Sequence, residues 1–207
     1  MEFIVSVQGK SEQTTTEIAR ECINAGATMI RTDKPIVCRV PLIGLCKIKV
    51  QNPRTMPYIT PTITEVKNVA NWAKYIAIDC RVENRENLEN IFQYCERKKV
   101  YIVADLQKNE DYDNLQAMGL IPKYYTTALG VFGTTVPPYD LMKYLIDNGE
   151  KNKIIAEGNI NSENRVSIIR KCGIDKICIG AAISDQYKLT KKYFYAMIGR
   201  SRGNYDQ

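Results

Sequence analysis

The chain has 207 residues, of which 44% are hydrophobic, and this is enough apolar material for one sizeable core. Its 29 basic and 23 acidic residues leave a net charge of +6, which suits an anionic ligand but is too small to indicate nucleic acid without a clustered basic patch. The sequence contains no histidine, which excludes Ser-His triads and the most common protein ligand for metal ions. Any catalysis must therefore use Lys, Asp, Glu, Tyr or Cys side chains.

Cysteine usage and the first residues bear on the compartment. Seven cysteines occur without a CxxC pair, and Cys46, Cys80 and Cys178 lie inside apolar runs, where cysteine behaves as a small hydrophobic residue. This usage is typical of a reducing compartment, and we expect a cytoplasmic protein. The N-terminal MEFIVSV lacks a basic segment and no apolar run approaches the length of a membrane span, so we expect neither a signal peptide nor a membrane partner.

Apolar runs and turn residues predict an alternation of strands and helices along the chain. The predicted strands cover 2–8, 28–31, 42–47, 75–79, 100–105, 123–129, 153–157 and 176–179. Helix start signals, such as TTTE at 14–17 and the proline pair at 137–138, and helical periodicity predict helices that end near residues 26, 70, 98, 119, 149, 173 and 198.

Two connections depart from this alternation. Only residues 32–41 separate the second predicted strand from the third, which is too short for a full crossover helix. Residues 48–57 are polar and are predicted as a loop. No linker or change of composition divides the chain, so we expect residues 1–207 to form a single parallel α/β domain with a shortened second crossover.

Each predicted strand ends in or near a polar residue or a glycine turn. In a closed parallel barrel these positions converge on one face, where such folds keep their active sites. The alternative is that each polar residue only begins a loop, but this explains eight of them in register less well. The positions are Gln8, Arg31, Lys47, Asp79, Asp105, Thr127, Glu157 and Gly180.

The last two predicted strands end in turns of small residues. Gly158-Asn159 follows the seventh strand and Gly180-Ala181 follows the eighth. Turns of this kind let backbone N–H groups approach an anion, and in an eight-stranded barrel these two turns are the usual phosphate site. They are otherwise only tight connections. That alternative does not explain Glu157, because a carboxylate at the end of a buried strand needs a partner or a role.

Lys47 is the one lysine that ends a predicted strand in this set. Burial beside Arg31 would lower its pKa from about 10.4 toward the range that is useful for proton transfer. Lys47 is therefore a candidate proton-abstracting base. A Schiff base on the same lysine is the competing chemistry, and the sequence leaves both open. Lys49, two residues later, is interpreted as solvated.

Nine short motifs, in this order, resemble the N-acetylmannosamine-6-phosphate 2-epimerases. The resemblance runs from about residue 3 to the last predicted helix, and although each motif alone is modest, their common order is specific. The motifs are FIVSVQ at 3–8, IR at 30–31, PLIGLCK at 41–47, YITPT at 58–62, IAID at 76–79, AD at 104–105, TT at 126–127 with Gly130, IAEGNI at 155–160 and IGAAI at 179–183.

The resemblance implies a (β/α)₈ TIM barrel that interconverts N-acetylmannosamine 6-phosphate and N-acetylglucosamine 6-phosphate in sialic acid catabolism, without a metal or nucleotide cofactor. By position, Lys47 is implied as proton acceptor and donor at the carbon that bears the acetamido group, with assistance from Glu157. The implied sugar-binding residues are Gln8, Arg31, Asp79, Asp105 and Thr127. The implied phosphate-binding residues are Gly158, Asn159, Gly180 and Ala181. The implied ligand is a small sugar phosphate, and the sequence leaves a homodimer open.

Three segments depart from the family pattern. Residues 32–41 are several residues shorter than the usual crossover, and the usual Lys-Arg-Asp-Tyr reads Lys47-Ile-Lys-Val. The usual Thr-Arg-Pro after the eighth-strand turn is Ser184-Asp185-Gln186. Asp185 thus stands where the family has a phosphate-binding arginine, and Lys188 is the candidate to replace the missing charge.

These departures leave a second hypothesis open, in which the barrel binds a sugar phosphate or a protein partner without efficient turnover. A third hypothesis is nucleic-acid binding through the basic and aromatic tail at 188–202, but a solvated helix face explains the same residues better, and we expect no nucleic-acid partner. Binding without conversion separates the second hypothesis from the first. The salt dependence of the affinity tests the third.

Overall fold

The protein alternates strands and helices in this computed structural model, which describes residues 1–9, 11–46, 48–49, 58–59, 61–81, 85–128, 135–180, 183 and 186–199. The strands are β1 (Glu2–Val7), β2 (Met29–Thr32), β3 (Leu42–Cys46), β4 (Ile48–Lys49), β5 (Tyr58–Ile59), β6 (Tyr75–Asp79), β7 (Tyr101–Asp105), β8 (Tyr124–Thr126), β9 (Ile154–Ala156) and β10 (Lys176–Ile179). The helices are α1 (Glu12–Asn24), α2 (Ile63–Ala70), α3 (Arg85–Lys98), α4 (Asn109–Ala117), α5 (Tyr139–Asp147), α6 (Glu163–Lys171) and α7 (Gln186–Met197), with a 3₁₀ turn at Lys151–Lys153.

Eight of the described strands form a closed parallel barrel. The strand order is β1-β10-β9-β8-β7-β6-β3-β2, so the first and last strands in the chain pair with each other and close the ring. Within the described ranges, every barrel strand except β2 is followed by a helix before the next barrel strand. The architecture is a (β/α)₈ TIM barrel, and the predicted fold is confirmed.

The connection from β2 to β3 contains no helix, and the structure describes all of its residues. Ile36 is 8% exposed and packs into the core, whereas the next residue, Val37, is 91% exposed. Cys38 and Val40 are partly buried against the same core, so a few apolar side chains anchor the segment that a helix occupies elsewhere in the barrel. The predicted shortening of the second crossover is confirmed.

The loop predicted over 48–57 is wrong at its first two residues. Ile48 pairs with Ile59, and Lys49 pairs with Tyr58, in a separate antiparallel two-stranded sheet. Residues 50–57 lie outside the described residues. A ladder of two residues carries too little hydrophobic alternation to be recognised in the sequence.

Helix α1 begins earlier than the TTTE motif predicts. Ser11 is its N-cap, and the Ser11 hydroxyl accepts a hydrogen bond from the Thr14 backbone N–H at 3.1 Å. Thr15 also donates from its hydroxyl to the Ser11 carbonyl at 2.7 Å. Thr14 and Thr15, the first two threonines of the predicted cap, therefore lie inside the first turn, because a serine three residues before Thr14 caps the helix equally well. Ser162 caps α6 in the same way, since its side chain accepts from the Arg165 backbone N–H.

The barrel wall divides the hydrophobic core into two parts. Since side chains alternate across a strand, every second strand residue points into the barrel and the others pack beneath the helices. Toward the carboxyl ends of the strands, polar residues replace apolar ones on the interior face, as where Arg31 follows Met29. The interior apolar residues are Ile4, Met29, Ile43, Leu45, Ala77, Val103, Ile155 and Cys178.

Gly44 lies where α2 and the residues after it come closest to β3. A Cβ at this position would lie 2.3 Å from Val69 Cγ1, 2.8 Å from Ala73 Cβ and 2.9 Å from Trp72 Cη2. We expect Gly44→Ala to lower the free energy of unfolding by about 1–3 kcal/mol, because the added methyl group overpacks this contact. Urea unfolding measures the loss. Adding Val69→Ala should recover part of it, and no recovery would contradict the steric explanation.

Candidate active site

Arg31, on β2, joins two carboxylates at the carboxyl end of the barrel. Its Nη2 lies 2.7 Å from Asp105 Oδ2, and its Nη1 donates a hydrogen bond to Glu157 Oε2. The side chain of Arg31 is 1% exposed and that of Asp105 is fully buried, whereas Glu157 is 16% exposed. Burial lowers the pKa of Arg31, but the two carboxylates outweigh burial and raise it well above its ordinary value. The guanidinium therefore stays charged and compensates both carboxylates.

Asp105 is held from a second side by Thr126. The Thr126 hydroxyl donates to Asp105 Oδ1 at 2.7 Å and accepts from the backbone N–H of Ala128 at 3.2 Å. Among the described residues, Arg31 Nε has no hydrogen-bond partner although it is buried. The cluster thus fixes both oxygens of Asp105, and the Nε–H of the guanidinium is not bonded by the described protein atoms.

Thr127 contacts the backbone of Glu157. Its hydroxyl accepts from the Glu157 N–H at 3.0 Å and donates to the Glu157 carbonyl at 2.8 Å. The side chain of Thr127 is fully buried. This hydroxyl, for which the resemblance implies a sugar contact, therefore already bonds the backbone of the barrel wall. The predicted contact with substrate stays a prediction.

Asp79 ends β6 beside Asp105 on β7, yet it has its own partner. Arg81 Nε lies 3.0 Å from both carboxylate oxygens of Asp79, and the Arg81 backbone N–H donates to Asp79 Oδ1 at 3.0 Å. Of the three predicted carboxylates, two therefore share Arg31, and the third forms a separate ion pair. Its predicted role in binding the sugar also stays a prediction.

A cavity of about 660 Å³ lies at this end of the barrel and reaches Glu157. The predicted site residues that line it are Gln8, Glu157, Gly158, Asn159 and Gly180. The other described members of the predicted set do not line it and are buried, namely Arg31, Asp79, Asp105 and Thr127. In the described part of the site, Glu157 is thus the carboxylate that can meet a ligand, and Arg31 supports it from below.

Gly158, Asn159 and Gly180, which belong to the two predicted glycine turns, all line this cavity. Gly158 has φ 103° and Asn159 has φ 50°, and the Asn159 carbonyl accepts from Arg165 Nη1 at 2.6 Å, which fixes the turn. At Gly180 an added Cβ would lie 3.2 Å from Ser6 Cβ, so glycine allows the end of β10 to approach β1 closely. Backbone from two neighbouring strands is therefore available to one ligand.

Cys178 lies beside Glu157 on the adjacent strand. The β9–β10 ladder pairs Ala156 with Ile177, so the residues that follow, Glu157 and Cys178, are neighbours. Burial, and then the charge of Glu157, raise the pKa of Cys178 well above its ordinary value, so the thiol stays protonated beside the carboxylate.

Three residues singled out in the sequence lie outside the described residues. They are Lys47, Ala181 and Asp185. The predicted roles of Lys47 as proton acceptor and of Ala181 as phosphate ligand therefore stay predictions. In the ranges that the structure describes, no cluster of three or more Cys, Asp or Glu side chains is placed to hold a metal ion. No described helix is long and apolar enough to cross a membrane.

Three contacts of this site were not predicted from the sequence. They involve Thr126 with Asp105, Cys178 with Glu157, and Arg81 with Asp79. The first had a signal, because strand alternation places Thr126 on the interior face of β8. Cys178 with Glu157 had none, since that contact depends on which strands become neighbours. Arg81 lies only two residues after Asp79, but nothing in the sequence singled it out as the partner.

Comparison with known proteins shows which family the chain belongs to. A family model described as "Putative N-acetylmannosamine-6-phosphate epimerase" matches residues 18–199, which is most of the chain. The chain belongs to this family. The matched range of the epimerase includes Arg31, Asp105, Glu157 and both glycine turns, and the resemblance predicted from nine motifs is confirmed.

Bacterial relatives in the epimerase family match over most of the chain. One from Mycoplasmopsis pulmonis is 28% identical over 199 residues, which is 86% of this chain and 86% of the relative. One from Clostridioides difficile is 28% identical over 169 residues, which is 78% of this chain and 74% of the relative. Both carry the name "Putative N-acetylmannosamine-6-phosphate 2-epimerase".

Solved structures match the fold of the epimerase. The N-acetylmannosamine-6-phosphate 2-epimerase from Clostridium perfringens superposes with a TM-score of 0.76 at 22% identity, over 93% of this chain and 92% of that one. The 3-hexulose-6-phosphate synthase from Salmonella typhimurium superposes with a TM-score of 0.72 at 13% identity, over 97% and 100%. Both likenesses support the closed barrel described above.

Proposed function

We propose that this member of the epimerase family interconverts N-acetylmannosamine 6-phosphate and N-acetylglucosamine 6-phosphate by moving a proton at carbon 2, in sialic acid catabolism. The observation that carries the proposal is the placement of Glu157, whose carboxylate is anchored by Arg31 and lines the cavity that both glycine turns also line. The names of the relatives support the substrate. One cavity thus offers an anchored carboxylate for proton transfer and two backbone turns suited to a phosphate.

The proposed chemistry is redox-neutral. In the open-chain sugar the C2–H bond breaks, the proton passes to a base, and the electron pair forms a C1–C2 double bond while the C1 oxygen takes the negative charge. A proton then returns to the opposite face of carbon 2. Substrate and product differ only in configuration, so the step needs a base and a stabiliser for the enolate and consumes no cofactor.

We assign the proton transfer to Lys47, with Glu157 as the assisting carboxylate. The prediction that burial beside Arg31 lowers the pKa of Lys47 stays a prediction, because Lys47 lies outside the described residues. In the described part of the site, Arg31 bonds Asp105 and Glu157, so its positive charge is compensated there.

The exchange of hydrogen at carbon 2 tests the proposal directly. The wild-type protein should incorporate deuterium from heavy water into carbon 2 of N-acetylmannosamine 6-phosphate, as followed by NMR. We expect Lys47→Ala to slow the incorporation by at least about 10²-fold, because general base catalysis is lost. Lys49→Ala is the matched control and should exchange at the wild-type rate. No incorporation by the wild type, or undiminished incorporation by Lys47→Ala, would refute the proposal.

The replacement of a family arginine by Asp185 favours one second candidate. In that candidate the barrel binds the sugar phosphate without efficient turnover, since a carboxylate near a phosphate repels it. Calorimetric binding of the substrate with no exchange at carbon 2 would support this candidate over the first. Turnover in the ordinary range of about 1–10³ per second would remove it.

We also propose a reducing, cytoplasmic compartment. All seven cysteines are free, and five of them are buried. Burial raises the pKa of Cys46 to about 12 and of Cys95 to about 11, so these thiols are unreactive and pack as small hydrophobic groups. This usage is typical of a protein that does not rely on disulfides.

A further inference from the structure

The barrel wall changes its mode of hydrogen bonding at the end of β8. The parallel ladder between β8 and β9 has its last pair at Thr126 and Ile155. Beyond that pair, the N–H and the carbonyl of Glu157 both meet one hydroxyl, that of Thr127, at 3.0 and 2.8 Å. A threonine side chain thus continues a contact between the strands where the backbone ladder has stopped.

We propose that Thr127 is a positioning residue for Glu157. Its hydroxyl bonds the N–H and the carbonyl on either side of the Glu157 Cα, from which the side chain enters the cavity, while Arg31 fixes the carboxylate at the other end of that side chain. The proposal deepens the proposed epimerase function and rests on it for its kinetic consequences. It assigns Thr127 to the support of the reacting carboxylate and not to the sugar.

Two observations separate this role from the one implied by the family resemblance. Thr127 is fully buried, and it is not among the residues that line the cavity. A hydroxyl can donate and accept at once, and the Thr127 hydroxyl uses both functions on the backbone of one residue, Glu157. Thr126, its neighbour, points to the interior and bonds the Asp105 side chain. The two threonines thus hold the two acidic residues that pair with Arg31, one through its carboxylate and the other through its backbone.

The consequence for catalysis follows from the sensitivity of the proton-transfer rate to the position of the catalytic groups. A displacement of about 1 Å that originates away from the reacting atoms costs about 10²-fold in rate. Threonine suits the task because valine has nearly the same shape without either hydrogen-bonding function. Serine retains the hydroxyl and loses only a methyl group. These two substitutions therefore separate the hydrogen bonds from the packing.

The barrel provides a matched control at its opposite end. Thr28 makes the same pair of contacts between β1 and β2, since its hydroxyl accepts from the Phe3 N–H at 2.8 Å and donates to the Phe3 carbonyl at 3.2 Å. Thr28 precedes β2, whereas Arg31 lies toward the carboxyl end of that strand. Thr28→Val removes an equivalent pair of hydrogen bonds and leaves the lining of the cavity unchanged.

Steady-state kinetics of the epimerisation gives the first test. We expect Thr127→Val to lower kcat by about 10–10²-fold with KM changed less than about twofold, and Thr127→Ser to recover most of the loss. Thr28→Val should keep the wild-type kcat. A raised KM with an unchanged kcat would overturn the proposal in favour of a sugar contact. An equal loss of kcat in Thr28→Val would overturn it in favour of general loosening of the barrel.

Native-state hydrogen exchange of the Glu157 amide gives a second test that does not need turnover. This amide should be protected in the wild type and in Thr127→Ser, and should exchange faster in Thr127→Val, while amides of β6 keep their protection. If the exchange rate of the Glu157 amide in Thr127→Val equals that of the wild type, the proposed role of Thr127 is overturned, whatever the activity of the variant. If the amide exchanges faster in Thr127→Val but the wild type shows no epimerisation, the proposed function fails, whereas the role of Thr127 in fixing the Glu157 backbone is supported.

Discussion

Arg31→Met is expected to lower the free energy of unfolding by about 3–5 kcal/mol, which is the usual cost of removing one partner from a buried ion pair. Methionine fills a similar volume, so the loss comes from charge and hydrogen bonding. The side chain of Arg31 is 1% exposed and bonds both Asp105 and Glu157, and the substitution leaves two carboxylates near each other without a counter-charge. Urea unfolding at neutral pH measures the loss.

The pH dependence of Arg31→Met gives the effect an electrostatic signature. Protonation removes the uncompensated charge, so the folded variant binds protons more readily than its unfolded chain does. Its stability should therefore rise relative to the wild type as the pH falls from about 7 to about 5. Arg85→Met is the control, because Arg85 is 63% exposed in its pair with Glu89 and such pairs contribute less than about 1 kcal/mol. Equal losses in the two variants would contradict the role given to Arg31.

Glu157→Gln is expected to lower kcat by about 10²–10⁴-fold with little change in KM, because a general acid-base group is lost while binding is retained. The glutamine carbonyl still accepts from Arg31, and the Thr127 contacts involve only the backbone of residue 157. The fold should therefore survive, as a thermal melt will show. Epimerisation of N-acetylmannosamine 6-phosphate is the assay.

Asp105→Asn is the matched comparison for Glu157→Gln. Asp105 is also bonded to Arg31 but is fully buried and held by Thr126, and it does not line the cavity. We expect this substitution to reduce stability and to lower kcat less than Glu157→Gln does. If both variants lose the same fraction of kcat with the same loss of stability, then Glu157 has no chemical role beyond the shared ion-pair cluster.

The order of the barrel strands along the chain was predictable from local pattern. β6 and β10 have the predicted bounds of 75–79 and 176–179, since each is a short apolar run between polar residues. β8 is shorter than predicted, at Tyr124–Thr126 against 123–129. A strand ends where its ladder with the neighbours ends, and this depends on residues far away in the sequence.

The candidate site was predictable as a set of positions and not as a set of contacts. The sequence placed Arg31, Asp105 and Glu157 at strand ends, and Arg31 bonds partners 74 and 126 residues further along the chain. The family resemblance implies a sugar contact for Thr127, which lies near the end of the predicted strand 123–129. Its neighbour Thr126 has the interior direction instead, because a shift of one residue changes the face of a strand.

By itself, the sequence determined the parallel α/β alternation, the missing second crossover helix and the two glycine turns, because each depends on residues within a few positions of one another. Only the tertiary structure decided that Arg31 is shared by Asp105 and Glu157, that Asp79 turns to Arg81, and that Gly44 admits α2. The sharing of Arg31 depends on how β10 closes on β1 and on the register of each pair of strands, which no local pattern encodes. The contact at Gly44 depends on how α2 packs on β3, whereas Asp79 and Arg81 are only two residues apart.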